Sequence, residues 1–385
     1  MLHNTVYFNN AAKAQFDPSV VATGVACIEK DPWEMNAEDD KERVRELYAR
    51  IIGSTTTKDS IAIVPSTAFA VTLAAQNLKS SAKPGKILLL QDQYPSAVYP
   101  WQDICKTTSG KFSLHIVPYP NENETWTGLI LELLSSKDCD ITIACLPPLF
   151  WCDGSKVDLE IIGPLCREMG IILIVDATQA AGIYPIHVEK IQPAMMACSV
   201  HKWLRGPAGC CLVYLDMAVV EAWQPLDQHD RSRDWHGHSI SDKGTLTPAG
   251  YPDDFVPGAR KLDAGGRTQP ILMPMLRTAL EKVTLVDTEQ AQAQLRCLMQ
   301  PLREWAAQSP HVRPIPASDA YADHIVGLEI KDASPIRLQS VQTRLADEFQ
   351  IIVSVRCGVL RISPYLDNTV EDVILFVKAL EQVIS

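Results

Sequence analysis

Between residues 59 and 215, short stretches of uninterrupted apolar side chains alternate with amphipathic stretches of helix length. SIAIVP precedes STAFAVTLAAQNLK, KILLL precedes PSAVYPWQDICKT, FSLHIVP precedes TGLILELLSS, and ITIACL precedes DLEIIGPLCREMG. IILIVDA, MMACSV and CCLVYL complete the series. A strand that is apolar throughout must be covered on both faces, the condition of a parallel strand in a helix-flanked sheet. The pattern therefore predicts an α/β fold with a mostly parallel central sheet. Such sheets bind ligands beyond the carboxyl ends of their strands. The residues to weigh first are those at the strand ends: Ser66, Thr67, Asp92, Asp176, Ser199, His201 and Lys202.

From about 224 to 270 the chain turns irregular and polar, and a connection that long is more often functional than idle. After a helix-like stretch near 271–307, alternation resumes with IVGLEI, a helix over about 336–349, IIVSV, VLRIS and a last helix over 369–383. This predicts a large domain over 15–280 and a smaller C-terminal α/β domain over 281–385, with a contribution from 1–14.

Composition narrows the function classes. The chain of 385 residues is 46% apolar and 21% charged, a soluble globular balance. A net charge of −11 with no basic block argues against a nucleic-acid partner. No apolar run approaches the roughly 18 residues of a membrane span, and the N-terminus lacks the charged and apolar regions of a secretory signal. The eleven cysteines sit mostly inside apolar segments with no CxxC pair, which reads as free thiols in a reducing, cytoplasmic compartment. His229, His236 and His238 in QHDRSRDWHGHS match no zinc spacing, so no metal is expected. That loop reads as a substrate-facing cover, with Arg231 and Arg233 available to a second carboxylate.

Lys202 follows the apolar strand MMACSV within CSVHKWLRGPAGCCLVY, and Asp176 directly ends IILIV. A lysine forced into an apolar pocket has a lowered pKa and becomes an amine nucleophile able to form a Schiff base. An acid facing a pyridine nitrogen and a lysine holding an aldehyde are the two protein groups that pyridoxal phosphate needs. The ribose-binding alternative for Asp176 lacks its glycine fingerprint, because no GxGxxG lies between a strand and a helix.

DATQAAGIYPI followed by SVHKWLRGPAGCCLVYL resembles the cofactor site of class V, fold-type I pyridoxal-phosphate enzymes. That group includes cysteine desulfurases, selenocysteine lyases, kynureninases, isopenicillin-N-epimerase-like proteins and some aminotransferases. The resemblance runs from YFNNAAKAQ to LRISPYLDNTVEDV. It implies that Lys202 holds the aldehyde and later moves the proton at the substrate's Cα. It also implies that Asp176 pairs with the ring nitrogen and Gln179 with the phenolic oxygen. Ser199 and His201 then hold the phosphate with Thr67 and the backbone N–H of Ala68, a helix N-terminus suited to an anion in any case. Tyr94 in DQYPSAVYPW supplies the aromatic face over the ring. Arg267 and Thr268 in KLDAGGRTQP reach the phosphate of a neighbouring subunit, which implies a homodimer with shared active sites. Arg361 in VLRISPYLDNT takes the substrate's carboxylate, with Arg356 as second choice.

Pyridoxal phosphate generates a Cα carbanion, and the pocket decides its fate. The desulfurases of this group carry a sulfur-accepting cysteine on a loop between the two arginine positions. Here Arg356 and Arg361 are only five residues apart, so that loop is essentially absent, and Cys357 reads as a buried or incidental thiol. The expectation is a lyase that eliminates a β-substituent from an amino acid, as C–S lyases do. An aminotransferase or an amino-acid epimerase is the alternative. A non-enzymatic scaffold is disfavoured by the joint presence of Lys202, Asp176, Gln179 and His201.

Overall fold

The computed structural model describes residues 5–53, 55–236, 251–265, 269–316 and 319–384. After the short strand β1 (Val6–Tyr7), seven strands form the central sheet. They are β2 (Ile61–Val64), β3 (Gly85–Leu90), β4 (Phe112–Val117), β5 (Ile141–Leu146), β6 (Ile172–Asp176), β7 (Met195–Ser199) and β8 (Cys211–Leu215). Their order across the sheet is β2-β8-β7-β6-β5-β3-β4. Pairing is parallel from β4 through β7, and β8 runs antiparallel to both β7 and β2.

The apolar runs are buried on both sides, and successive residues point to opposite layers. Leu88, Leu146 and Leu173 join helices Glu38–Ile52, Trp126–Leu134 and Leu159–Glu168 in one core. Ile87, Leu89, Ile143 and Ile174 join helices Thr67–Ser81 and Tyr99–Thr107 in the other. β4 pairs on one side only, and its Ser113 and Ile116 are exposed.

β2 is the opposite edge, and its outward backbone groups are covered. Ile61 O accepts from Arg45 Nη1, Ile63 N–H donates to Asp263 Oδ1 at 2.8 Å, and Ala264 N–H donates to Ile63 O at 3.1 Å. An exposed strand edge invites pairing with another chain. Here a buried Arg45–Asp263 ion pair closes it.

The stretch near 271–307 divides into helices Leu272–Val283, Thr288–Leu298 and Gln300–Gln308. Asp287 caps the second by accepting from Glu289 and Gln290, and a proline opens the third. Beyond them, β9 (Val326–Leu328), β11 (Ser354–Arg356) and β12 (Val359–Ile362) form an antiparallel sheet in the order β11-β12-β9. β10 (Ile351–Ile352) pairs in parallel with β1. A third core joins Leu345, Leu360, Ile362 and Leu380 with Phe8, whose ring meets Phe376 edge-on at 5.8 Å.

One expectation about the cysteines is corrected. Nine are free, but Cys152 and Cys357 are joined in a disulfide across 205 residues. Cys357 is exposed rather than buried. Their meeting depends on the β11–β12 hairpin lying against the turn at 150–155, a contact no local spacing encodes. No helix among the described residues is long and apolar enough to cross a membrane.

Candidate active site

Five strand ends converge on one cleft, a concave site of the kind that small molecules occupy. Thr67 follows β2, Gln93 and Tyr94 follow β3, and Leu149 and Trp151 follow β5. Asp176, Thr178 and Gln179 come from the end of β6, and Ser199, His201 and Lys202 from the end of β7. Of the strand-end residues singled out in the sequence, Ser66 and Asp92 do not line the cleft: Ser66 caps helix Thr67–Ser81, and the Asp92 carbonyl accepts from the Trp151 indole at 2.9 Å.

Lys202 is set at the strand mouth by a tight turn. Arg205 N–H donates to Lys202 O at 2.9 Å, and Gly206 N–H donates to Val200 O at 2.8 Å. Gly206 is closely packed: a Cβ there would lie 2.5 Å from Leu276 Cδ1 and 3.3 Å from Val200 Cβ, so the Leu276 side chain would have to shift. The Lys202 side chain is buried, its Nζ stands 5.1 Å from the centre of the Tyr94 ring, and among the described residues no carboxylate pairs with it directly. Burial lowers its pKa to about 8, against the opposing pull of Asp176. The flanking Arg361 and Arg356 push it the same way as burial.

Asp176 is buried, and burial raises its pKa; hydrogen bonds from Thr178 and the charge of Lys202 oppose that rise. Thr178 N–H donates to Asp176 Oδ1 at 3.0 Å. The Thr178 hydroxyl accepts from Ser199 N–H at 3.1 Å, and the Ser199 and Thr67 hydroxyls meet at 2.7 Å. These groups lie at the start of helix Thr67–Ser81. Its cap Ser66 takes the N–H groups of Phe69 and Ala70, leaving those of Thr67 and Ala68 without a partner among the described residues. His201 is half-buried, and burial, Lys202 and Lys13 hold its pKa down.

Gln179 is gripped from both ends. Its Oε1 accepts from Trp203 Nε1 at 2.8 Å and its Nε2 donates to Ala11 O at 3.1 Å, leaving the second Nε2 hydrogen for the cleft. Behind it, His324 Nε2 donates to Gln179 O at 2.8 Å, while His324 Nδ1 accepts from Gln292 Nε2 at 2.9 Å. This layer and the cleft residues Thr178, Gln93 and Trp151 were not picked out from the sequence. For Thr178 the signal was its place inside DATQ; for His324, 145 residues from Gln179, there was none.

Arg361 is buried, with Nε donating to Ser354 Oγ at 3.2 Å and Nη1 to Trp151 O at 2.8 Å. Burial and Arg356 lower its pKa to about 9. Register puts Ser354 opposite Arg361 and Arg356 opposite Val359, so both arginines leave the same face of the hairpin. Neither has a carboxylate partner among the described residues. Arg231 and Arg233, expected at a second carboxylate, are engaged elsewhere within the chain. Arg231 pairs with Glu38, while Arg233 donates to Gln228 and Asp253 and lies 4.1 Å from the Phe255 ring. His229 Nε2 is 3.1 Å from Asp263 O. Arg267, Thr268 and His238 lie outside the described residues.

The donor set fits pyridoxal phosphate. A buried amine without a counter-ion suits condensation with an aldehyde, and a buried carboxyl suits a protonated ring nitrogen. The Thr67–Ser199 hydroxyls and the two open N–H groups suit a phosphate.

Comparisons with known proteins agree. The chain is 25% identical over 235 residues to an uncharacterized aminotransferase, YcbU, of Bacillus subtilis, covering 60% of this chain and 56% of that protein. It is 26% identical over 238 residues to isopenicillin N epimerase of Streptomyces clavuligerus, covering 58% and 54%. These matches span little more than half of each relative. The fold superposes on the cysteine desulfurase CsdA of Escherichia coli with a TM-score of 0.83 at 20% identity, over 98% of this chain and 94% of that one. A variant of C-DES with glycine covalently linked to its PLP cofactor gives 0.81 at 18%, over 98% and 97%. Together with the donor set, these findings support pyridoxal phosphate as the cofactor. The family description Aminotransferase class-V matches residues 6–376, and the chain belongs to that family.

Proposed function

We propose that this chain acts at the Cα of an amino acid and eliminates a β-substituent, as a lyase. The observation that carries the reading is the amine of Lys202, buried beside Asp176 without an ion-pair partner. Bound pyridoxal phosphate supplies the aldehyde and an electron-withdrawing ring that stabilises negative charge at Cα. Lys202 holds that aldehyde and, with its pKa lowered to about 8, takes and returns the Cα proton near neutral pH. Asp176 faces the ring nitrogen, and the free hydrogen of Gln179 Nε2 faces the phenolic oxygen. Thr67, Ala68, Ser199 and His201 hold the phosphate, and Tyr94 covers the ring. Arg361, flanked by Arg356, takes the substrate's carboxylate.

The choice of elimination rests on Cys357. It sits in the two-residue turn between the strands that carry the two arginines, with no longer loop there to bring a sulfur-accepting thiol to the substrate, and in the oxidised chain it is bonded to Cys152. Transamination or epimerisation by the same residues is the second reading. A homodimer, with Arg267 and Thr268 reaching the neighbour's phosphate, belongs to the proposal on the sequence grounds given above; the Cys152–Cys357 disulfide removes the free-thiol ground for a cytoplasmic location.

The experiment is borohydride reduction of the PLP-loaded protein with peptide mapping, followed by incubation with β-substituted amino acids. The reduced adduct is expected on Lys202, with pyruvate formed without any keto-acid acceptor. An adduct on another side chain removes the site assignment. An obligatory keto acid makes the enzyme an aminotransferase, and solvent deuterium in racemised substrate makes it an epimerase.

A further inference from the structure

Cys357 and Gly358 form the two-residue turn between β11 and β12, and both have positive φ, 45° and 80°. Hairpin turns of this hand favour Asn, Asp or Gly at the first position. A cysteine there occupies backbone space that a Cβ disfavours, the kind of outlier that points to a role. Its sulfur is bonded to Cys152, which directly follows Trp151. Trp151 lines the cleft, and its carbonyl accepts from Arg361; the other acceptor of Arg361 is Ser354, on the strand that leads into the same turn. The disulfide thus ties together the two segments that seat this guanidinium. Cys357 is exposed and Cys152 is buried, so an external thiolate meets Cys357 first.

We infer that Cys152–Cys357 is a thiol-exchange site for a dithiol reductant and controls how firmly Arg361 grips a carboxylate; the second half rests on the substrate role given to Arg361 above. One thiolate of the dithiol attacks Cys357 Sγ, the S–S bond breaks, and Cys152 leaves as a thiolate that takes a proton. The second thiol of the reductant then displaces Cys357, which also leaves as a thiolate and is protonated. The protein disulfide gains two electrons and the dithiol is oxidised to its own disulfide. Once opened, the hairpin tip loses its covalent tie to Cys152 and keeps its strand pairing and the Val355 N–H bond to Gln342 Oε1, and the turn is free to leave its disfavoured backbone conformation.

The test uses the PLP-loaded protein, oxidised or treated with dithiothreitol that is then removed by gel filtration. L-Alanine is titrated into each by visible absorption, and hydrogen exchange is followed over 354–362. Alkylation mapping is expected to label Cys152 and Cys357 only after reduction. Reduction should speed exchange in the hairpin and raise the Kd for alanine about tenfold, the scale of one weakened charge-assisted hydrogen bond. Cys152→Ser should match the reduced protein and ignore dithiothreitol. Labelling of both cysteines without reductant, unchanged hairpin exchange, or equal alanine affinity in coloured protein each overturns the inference. A protein that is colourless in both states counts instead against the cofactor assignment, and hydrogen exchange alone then decides whether the clasp exists.

Discussion

The indole N–H of Trp203 donates to Gln179 Oε1, which determines that the amide nitrogen and not its oxygen faces the cleft. Trp203→Phe removes that donor and frees the amide to turn. An oxygen turned toward the anionic phenolic oxygen of bound pyridoxal phosphate repels it, so the paired proton is held more tightly. The visible band of PLP-bound Trp203→Phe is expected to change at higher pH than in the parent, by about one unit, the scale of a lost hydrogen bond. A pH titration of the spectrum checks this. A purely structural role for Trp203 would lower stability and leave that midpoint unmoved.

His324 is buried and neutral, its pKa lowered by burial to about 4. The unfolded chain binds a proton near pH 6.5 and the folded one does not. The stability tied to this group is therefore complete above about pH 6.5 and is lost as pH falls from there toward 4. Over that window the loss is expected to reach about 3 kcal/mol. Urea unfolding at stepped pH should show it, with a flatter profile in His324→Asn.

Lys202 works in the opposite pH range. Its folded pKa of about 8 lies below its ordinary value of 10.5, so its burial costs most below pH 8, where both states are protonated. Between 8 and 10.5 the unfolded chain binds more protons, and stability rises with pH. PLP-free Lys202→Met is accordingly expected to melt higher than the parent at pH 7, with the gap closing above pH 10. The rate of PLP uptake by the parent should rise through pH 8 as the free amine appears.

The two arginines on the hairpin face are expected to separate kinetically. Arg361→Gln should raise KM about 100-fold with a smaller change in kcat, because a buried charge-assisted contact to a carboxylate is lost. Arg356→Gln should raise KM only about fivefold, because this guanidinium is only partly buried. Steady-state kinetics on the amino acid that the enzyme turns over fastest decide the order; a larger effect at Arg356 reverses the assignment.

Asp263→Asn leaves Arg45 buried with its charge only partly met, since Glu42 remains 3.3 Å from Nε. A stability loss of about 3 kcal/mol is expected in denaturant unfolding. Arg45→Met combined with Asp263→Leu should recover much of it, because an apolar pair carries no desolvation cost. The recovered variant is also expected to associate more readily, because Ile61 O and Ile63 N–H on the outer edge of β2 lose their partners.

The sheet was legible because its signal is local. Each strand of a doubly covered sheet is written as a short apolar run, and Ile61–Val64, Ile141–Leu146 and Ile172–Asp176 fall where those runs stand. The place of the candidate site followed from the same logic, since strand carboxyl ends share one rim; Asp176, Ser199, His201 and Lys202 line one cleft there. The helical stretch near 271–307 was legible as helix but not as three, because its breaks depend on a cap at Asp287 and a proline rather than on periodicity.

What local pattern carried, then, was the alternation of elements and the residues that end them, because side-chain period and strand polarity are properties of the nearest few residues. Contacts between distant segments obey no such period. The Cys152–Cys357 bond, the seat of Arg361 on Trp151 and the backing of Gln179 by Trp203 and His324 exist only once the hairpin and the C-terminal core are packed against the sheet. Packing chooses those partners through shape and burial summed over the whole molecule, and no window of sequence holds that sum.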